Sequence, residues 1–183
     1  MMSRITRLIL ICTTLALPIN ALAAELDLNT LTQTLSTADH VEGRFVQKRY
    51  LHDMETTLTS HGTYQFDRGE QVIWTLTDPV QETLTLDDDG MQRNGTAIKD
   101  SPAGVARLIM QLLNGDFAAL ESRFDIALTG SDADWQARLT PNSDAMRRYL
   151  KRITLTGGDT LSHLEMALSD GDTLSIDLTQ TRP

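Results

Sequence analysis

Cysteine is nearly missing from this chain of 183 residues; Cys12 is the only one. A disulfide framework and a thiol nucleophile are therefore both unexpected. Aromatic residues are also few, at 5%, too sparse for the stacked rings on which sugar faces usually rest. Lys and Arg number 16 against 25 Asp and Glu, for a net charge of −9. No sizeable basic cluster exists to neutralise a phosphate backbone, so a nucleic-acid partner is not expected. Five Pro and eleven Gly exclude collagen-like and low-complexity chains. What remains is 40% apolar and 22% charged. That is enough to bury the core of one domain.

The first residues read as a leader. Met1 to Arg7 carries Arg4 and Arg7 and no acid, Leu8 to Ile19 is apolar, and Ala21-Leu22-Ala23 is a small-x-small site. These are the three parts of a secretory signal peptide, and the apolar run is too short to span a bilayer. Cleavage after Ala23 would leave residues 24–183 as a single exported domain in the periplasm. Losing the two arginines takes the net charge from −9 to −11. Cys12 leaves with the leader. Bulky Ile11 before it, and the short run separating it from Arg7, disfavour lipid attachment there. Without disulfides, stability must come from the core.

Past the leader, Leu28, Leu31 and Leu35 recur at helical spacing from Asp27, a capping residue, to about Thr37. Threonine makes up much of this helix, which therefore needs a surface to pack on. The period then changes to two. Tyr64 and Phe66 share a face, as do Val72, Trp74 and Leu76, then Leu84 and Leu86. Alternation returns at Phe124-Ile126-Leu128, Trp135-Ala137-Leu139, Leu164-Met166-Leu168 and Leu174-Ile176-Leu178. Turns at Asp67-Arg68-Gly69, Asp89-Gly90, Asn94-Gly95, Gly157-Gly158 and Asp170-Gly171 separate them. Short, regularly spaced strands of this kind describe an antiparallel meander with one apolar face.

One helix interrupts the strands. Ser101-Pro102 opens it and Asn114-Gly115 closes it. Val105, Leu108, Ile109 and Leu112 form one apolar stripe, with Ala103, Ala106, Met110 and Leu113 beside it. A helix apolar over most of its circumference is buried on several sides. It is either a plug of ordinary core or a lid whose inner face meets an apolar ligand.

Signals of catalysis are thin. There is no nucleophile elbow, phosphate-binding loop or zinc-protease motif. His40, His52, His61 and His163 lack metal-ligand spacing, so neither metal nor other cofactor is expected. The acids of Asp87-Asp88-Asp89-Gly90 do not alternate as a calcium loop requires. Ser60 and His61 are adjacent on a strand and point to opposite faces, so they cannot act as nucleophile and base.

Phe45-Val46-Gln47-Lys48, Gly62-Thr63-Tyr64-Gln65-Phe66-Asp67-Arg68, Val72-Ile73-Trp74 and Asp78-Pro79 follow one another in order. This succession resembles the periplasmic outer-membrane lipoprotein carriers, LolA and its relatives. The resemblance implies a mainly β fold with helices, an unclosed antiparallel β-barrel covered by an α-helical lid. It implies a lipid-binding cavity lined from the sheet by Phe45, Tyr64, Phe66, Val72, Trp74, Leu76, Leu84 and Leu86. The helix would add Val105, Leu108, Ile109 and Leu112. Arg68 sits where the family places an arginine that reaches lid carbonyls and holds the empty carrier closed. Read without the resemblance, it is an exposed turn arginine.

Two departures bear on cargo. Met91-Gln92-Arg93 stands where these carriers have a Leu-Trp-aromatic strand. The family's further Phe-rich strand and Pro-containing tail do not follow Leu174 to Leu178. The expected function is a non-enzymatic, monomeric carrier that shuttles a lipoprotein from inner to outer membrane. An inner-membrane transporter would donate the cargo and an outer-membrane acceptor would receive it. The departures suit a relative carrying another lipid or an acylated biosynthetic product. An extracytoplasmic hydrolase and a non-catalytic peptide-binding module are the rival readings.

Overall fold

The computed structural model describes residues 26–98 and 103–181. The expected leader and cleavage site, and the expected Ser101-Pro102 start of the second helix, lie outside these residues. Helix α1 (Leu28–Leu35) begins as its sequence predicts: the Asp27 carboxylate accepts from the Asn29 and Thr30 amides at 2.8 and 2.9 Å. It ends two residues before Thr37. Ser36 and Thr37 donate their hydroxyls back to the Thr32 and Thr34 carbonyls, bonds that compete with continuation of the helix.

Six strands follow: β1 (His40–Leu51), β2 (Thr56–Asp67), β3 (Gln71–Asp78), β4 (Glu82–Asp87), β5 (Gly90–Arg93) and β6 (Thr96–Ala97). Helices α2 (Ala103–Asn114) and α3 (Phe117–Glu121) come next, then β7 (Phe124–Ser131) and β8 (Asp134–Pro141). The short helix α4 (Asp144–Arg147) precedes β9 (Leu150–Gly157), β10 (Leu161–Leu168) and β11 (Thr173–Gln180). All the strands join one antiparallel sheet in the order β6-β5-β4-β3-β2-β1-β11-β10-β9-β8-β7.

That order explains the open barrel. Two meanders, β1 to β6 and β7 to β11, are sewn together where β1 pairs with β11, with Phe45 opposite Leu178 and Gln47 opposite Ile176. The edges β6 and β7 do not pair. The chain leaves the sheet at one edge and re-enters at the other, so α2 and α3 must make the crossing. They pack on the apolar face, which a sheet of this kind has to cover. Helix α2 divides its side chains between two cores. Leu112 joins Leu31, Phe117, Phe124, Trp135 and Ile153, while Met110 joins Phe66, Val72 and Leu86.

Strands β1 and β2, of 12 residues each, are longer than hydropathy predicts. Thr56 to Ser60 carries no apolar alternation, and backbone pairing alone extends the hairpin there. Near its other end two glycines admit aromatic rings. Phe45 lies opposite Gly62 and Tyr64 opposite Gly43, and the Phe45 ring stacks on Trp74 at 3.7 Å. A Cβ on Gly62 would stand 2.0 Å from the Thr75 carbonyl oxygen and 2.6 Å from the Phe45 ring. Gly62→Ala must therefore displace backbone or the ring beneath the site. Overpacking of this kind costs about 1–3 kcal/mol. Urea unfolding of the variant should show a loss of that order, and an unchanged midpoint would contradict the packing described.

Candidate functional site

Between the sheet and α2 lies an apolar cavity of about 160 Å³. Val72, Trp74, Leu84, Leu86 and Met91 from β3, β4 and β5 form one wall. Leu164, Met166, Leu174, Ile176 and Leu178 from β10 and β11 form the other. Ile109, Leu112 and Leu113 of α2 make the roof, and Gln47 of β1 is the one polar side chain in the lining. This volume is close to that of an apolar cavity that admits a benzene-sized molecule. It lies below the roughly 300–1,000 Å³ of typical ligand sites.

A second chamber, of about 60 Å³, adjoins the first. Tyr64 and Phe66 of β2, with Arg68 just after it, line it together with Leu35, Val41 and Leu161. Leu113 and Leu178 line both chambers, so the two meet at that pair.

Arg68 follows β2 directly, and its backbone amide donates to the Asp39 carbonyl at 2.8 Å. Its side chain is half-buried and spends its donors on three carbonyls. Nε donates to Ala38 at 3.1 Å, Nη1 to Asn114 at 2.9 Å, and Nη2 to Leu35. Leu35 is the last residue of α1 and Asn114 the last of α2. Both oxygens belong to the orphan carbonyls that a helix leaves at its C-terminus, where the helix dipole favours a cation. One planar, five-donor guanidinium thus caps two helices at once. Its Cζ also lies 5.6 Å from the centre of the Phe66 ring. Thr32 of α1 adds a bond to the Gly115 carbonyl at 3.1 Å, tying the same two helix ends. Beside them Asn114 Oδ1 is buried and meets no donor among the described residues. That is a cost of roughly 1–3 kcal/mol borne by this arrangement.

The residue before the arginine is also engaged. Asp67 Oδ1 lies 2.5 Å from His40 Nδ1, and Gln71 donates to Oδ2 at 3.2 Å. The bond to Asp67 raises His40 above its ordinary value near 6.5, and the Glu42 carboxylate adds to the rise. The same bond, then Gln71, lowers Asp67. The stabilisation from His40 is complete below pH 6.5 and disappears as pH climbs through the raised value. The stabilisation from Asp67 is complete above the ordinary carboxylate value and is lost as pH falls through the lowered one. Together they are strongest in mildly acid solution. A proton NMR titration of Asp67→Asn should move the His40 midpoint down toward 6.5; no movement would mean that the pair is not formed.

Six of the residues assigned to the cavity from the sequence meet in the larger chamber: Val72, Trp74, Leu84, Leu86, Ile109 and Leu112. Tyr64 and Phe66 line the smaller one with Arg68. Phe45 lies beneath the lining, stacked on Trp74 and 2% exposed. Leu76 is half-buried on β3 and lines neither chamber. Leu108 turns to the core around Trp135. The side chain of Val105 lies outside the described residues. The wall formed by β10 and β11 escaped sequence reasoning, although the alternation of both strands is legible; what the alternation does not reveal is the β1–β11 pairing. Among the described residues no three His, Cys, Asp or Glu side chains converge as metal ligands.

A model of the family described as outer membrane lipoprotein carrier protein, LolA-like, matches residues 20–179. No curated protein matches the chain by sequence. Among solved structures, a LolA superfamily protein from Nitrosomonas europaea is 11% identical. That match covers 87% of this chain and 95% of the other, with a TM-score of 0.45. Pseudomonas aeruginosa MucB, solved in complex with MucA, is 16% identical over 84% of this chain and 54% of the other, with a TM-score of 0.46. A DUF1329 family protein from Desulfovibrio piger is 10% identical over 84% and 89%, with a TM-score of 0.36.

Proposed function

We propose, from the premise that the chain belongs to the LolA-like family of outer membrane lipoprotein carriers, that it is a periplasmic shuttle for acylated cargo. In this reading residues 1–23 are removed on export and residues 24–183 form the carrier. It takes a lipoprotein, or another acylated lipid, from an inner-membrane transporter and delivers it to an outer-membrane acceptor. The observation that carries the reading is the nearly wholly apolar cavity, roofed by a helix that Arg68 ties down.

Magnitudes give the reason for a carrier. Each methylene left in water costs about 0.8 kcal/mol, so a chain of about 14 methylenes costs roughly 11 kcal/mol. Free diffusion of such a cargo between membranes is negligible. In the empty protein the bonds from Arg68 to the helix ends favour the state in which α2 lies over the cavity. Cargo lifts α2, occupies the space between the walls of β3–β4 and β10–β11, and breaks the bond to Asn114. The drive to restore that bond helps expel the cargo at the acceptor. The protein performs no bond-making chemistry in this cycle.

The test is direct. The protein is isolated from periplasm without detergent, and its organic extract is analysed by mass spectrometry alongside the intact complex. Stoichiometric acylated material is the expected result. A protein that stays free of lipid when recovered from cells blocked in the acceptor step would overturn the reading.

A further inference from the structure

Arg68 has no carboxylate partner among the described residues. Asp67, its neighbour, is occupied by His40 and Gln71. What balances the guanidinium in the closed protein is backbone: the carbonyls that end α1 and α2, with the Ala38 carbonyl beside them. A helix C-terminus carries up to about half a negative charge, so two together approach one full charge. The closed lid supplies Arg68 with the equivalent of an anion.

Opening removes part of it. When α2 lifts, the Asn114 carbonyl goes with it, and the half-buried guanidinium keeps its charge with fewer acceptors. Its surroundings in the smaller chamber include Tyr64, Phe66 and Leu161, none of which replaces the lost acceptor in place. Asp159 lines the same chamber but is exposed, so water screens it. A donor stripped of its acceptor in such a place is costly. The group best suited to the vacated Nη1 donor is anionic, because a charged acceptor bonds a guanidinium more strongly than a carbonyl does.

The position of Arg68 decides which part of a ligand it meets. The larger chamber has Gln47 as its one polar lining side chain and suits a tail. The smaller is reached past Leu113 and Leu178 and holds Arg68 with Thr37 and Thr160. A chain lying through both puts its tail under α2 and its head at the arginine. We infer that the cargo is an acyl chain bearing an oxyanion head, a carboxylate or a phosphate monoester, which takes over from the Asn114 carbonyl on Arg68. This rests on the acyl-carrier reading above and narrows its substrate class. The head then also drives loading, because it competes for the same N–H that holds the lid.

Calorimetry on the mature protein with dodecanoate, dodecyl phosphate and dodecanol separates the possibilities. At least one of the two anions should bind ten or more times as tightly as the alcohol, and raising the salt concentration should weaken that anion selectively. Which anion leads identifies the head. In Arg68→Gln every ligand binds more readily because the lid is loosened, so the ratio of anion to alcohol is the quantity to read. It should fall to within about twofold, and Arg68→Lys should restore part of it. Equal binding of all three by the wild type would leave the carrier standing and overturn the head-group inference alone. So would a ratio that survives in Arg68→Gln. If none of the three binds, the carrier reading fails and this inference with it. Should Arg68→Gln not fold, the wild-type ratio, its salt dependence and Arg68→Lys still decide.

Discussion

Arg68→Leu should yield a protein that loads more readily and lets go less readily. Hydrogen bonds to a charged group contribute roughly 1.5–3 kcal/mol, and in the proposed cycle the one to Asn114 is lost when α2 lifts. Its loss should raise the apparent affinity for a neutral long-chain alcohol about 10- to 100-fold, each factor of ten being 1.4 kcal/mol. Transfer from the loaded variant to an acceptor should slow in proportion. Removing the arginine also leaves the carbonyls ending α1 and α2 without their shared donor, so the empty variant should lose stability. Surface substitutions usually stay within about 0.5 kcal/mol. An Arg68→Leu protein that matched the wild type in affinity, transfer and stability would return the residue to the status of a turn arginine.

The second large effect concerns the roof. Ile109 is half-buried, lines the larger chamber and packs beside Met110, Phe66 and Val72. An aspartate there would face hydrocarbon without a partner, a penalty of several kcal/mol once ligand excludes water. Ile109→Asp should therefore fold but bind acyl probes at least a hundredfold more weakly, about 2.8 kcal/mol. One position earlier on the helix the outcome should differ. Leu108 points to the core around Trp135, so Leu108→Asp should act on folding, and each kcal/mol lost lowers the melting temperature by about 2–4 °C in a chain of this size. Dye-displacement titrations and thermal melts of the two variants check the pair. Binding intact in a folded Ile109→Asp would mean that α2 does not cover the ligand.

Most of the strands and turns are legible in the sequence because each is a local matter. Alternation of Trp135, Ala137 and Leu139 requires one buried face whatever the rest of the chain does, and Asn94-Gly95 turns for its own steric reasons. The first wall of the cavity is legible for the same reason, with Val72 and Trp74 facing Leu86 and Leu84 across a short hairpin. The second wall is not. Its residues alternate visibly, but that β11 pairs with β1 depends on contacts between the two ends of the chain, which no local pattern encodes. Helix α3 is too short for its period to show. The double capping by Arg68 is hidden too, since Leu35, Ala38 and Asn114 take part through backbone carbonyls and their side-chain identities say nothing of it.

The seam between β1 and β11 also sets the order of events when the chain first folds. Phe45 and Leu178 are 133 positions apart, whereas every other pairing in the sheet joins strands consecutive in the chain. The two meanders can each form from neighbours, but their joining waits for closure of a loop that spans nearly the whole sheet. Contacts of such separation slow folding. A chain threaded across the inner membrane from its N-terminus would present β1 to β6 first, with Phe66, Val72, Trp74 and Leu86 uncovered until β7 to β11 arrive. The apolar face that α2 later covers is thus, for a time, a surface of the newborn protein prone to self-association.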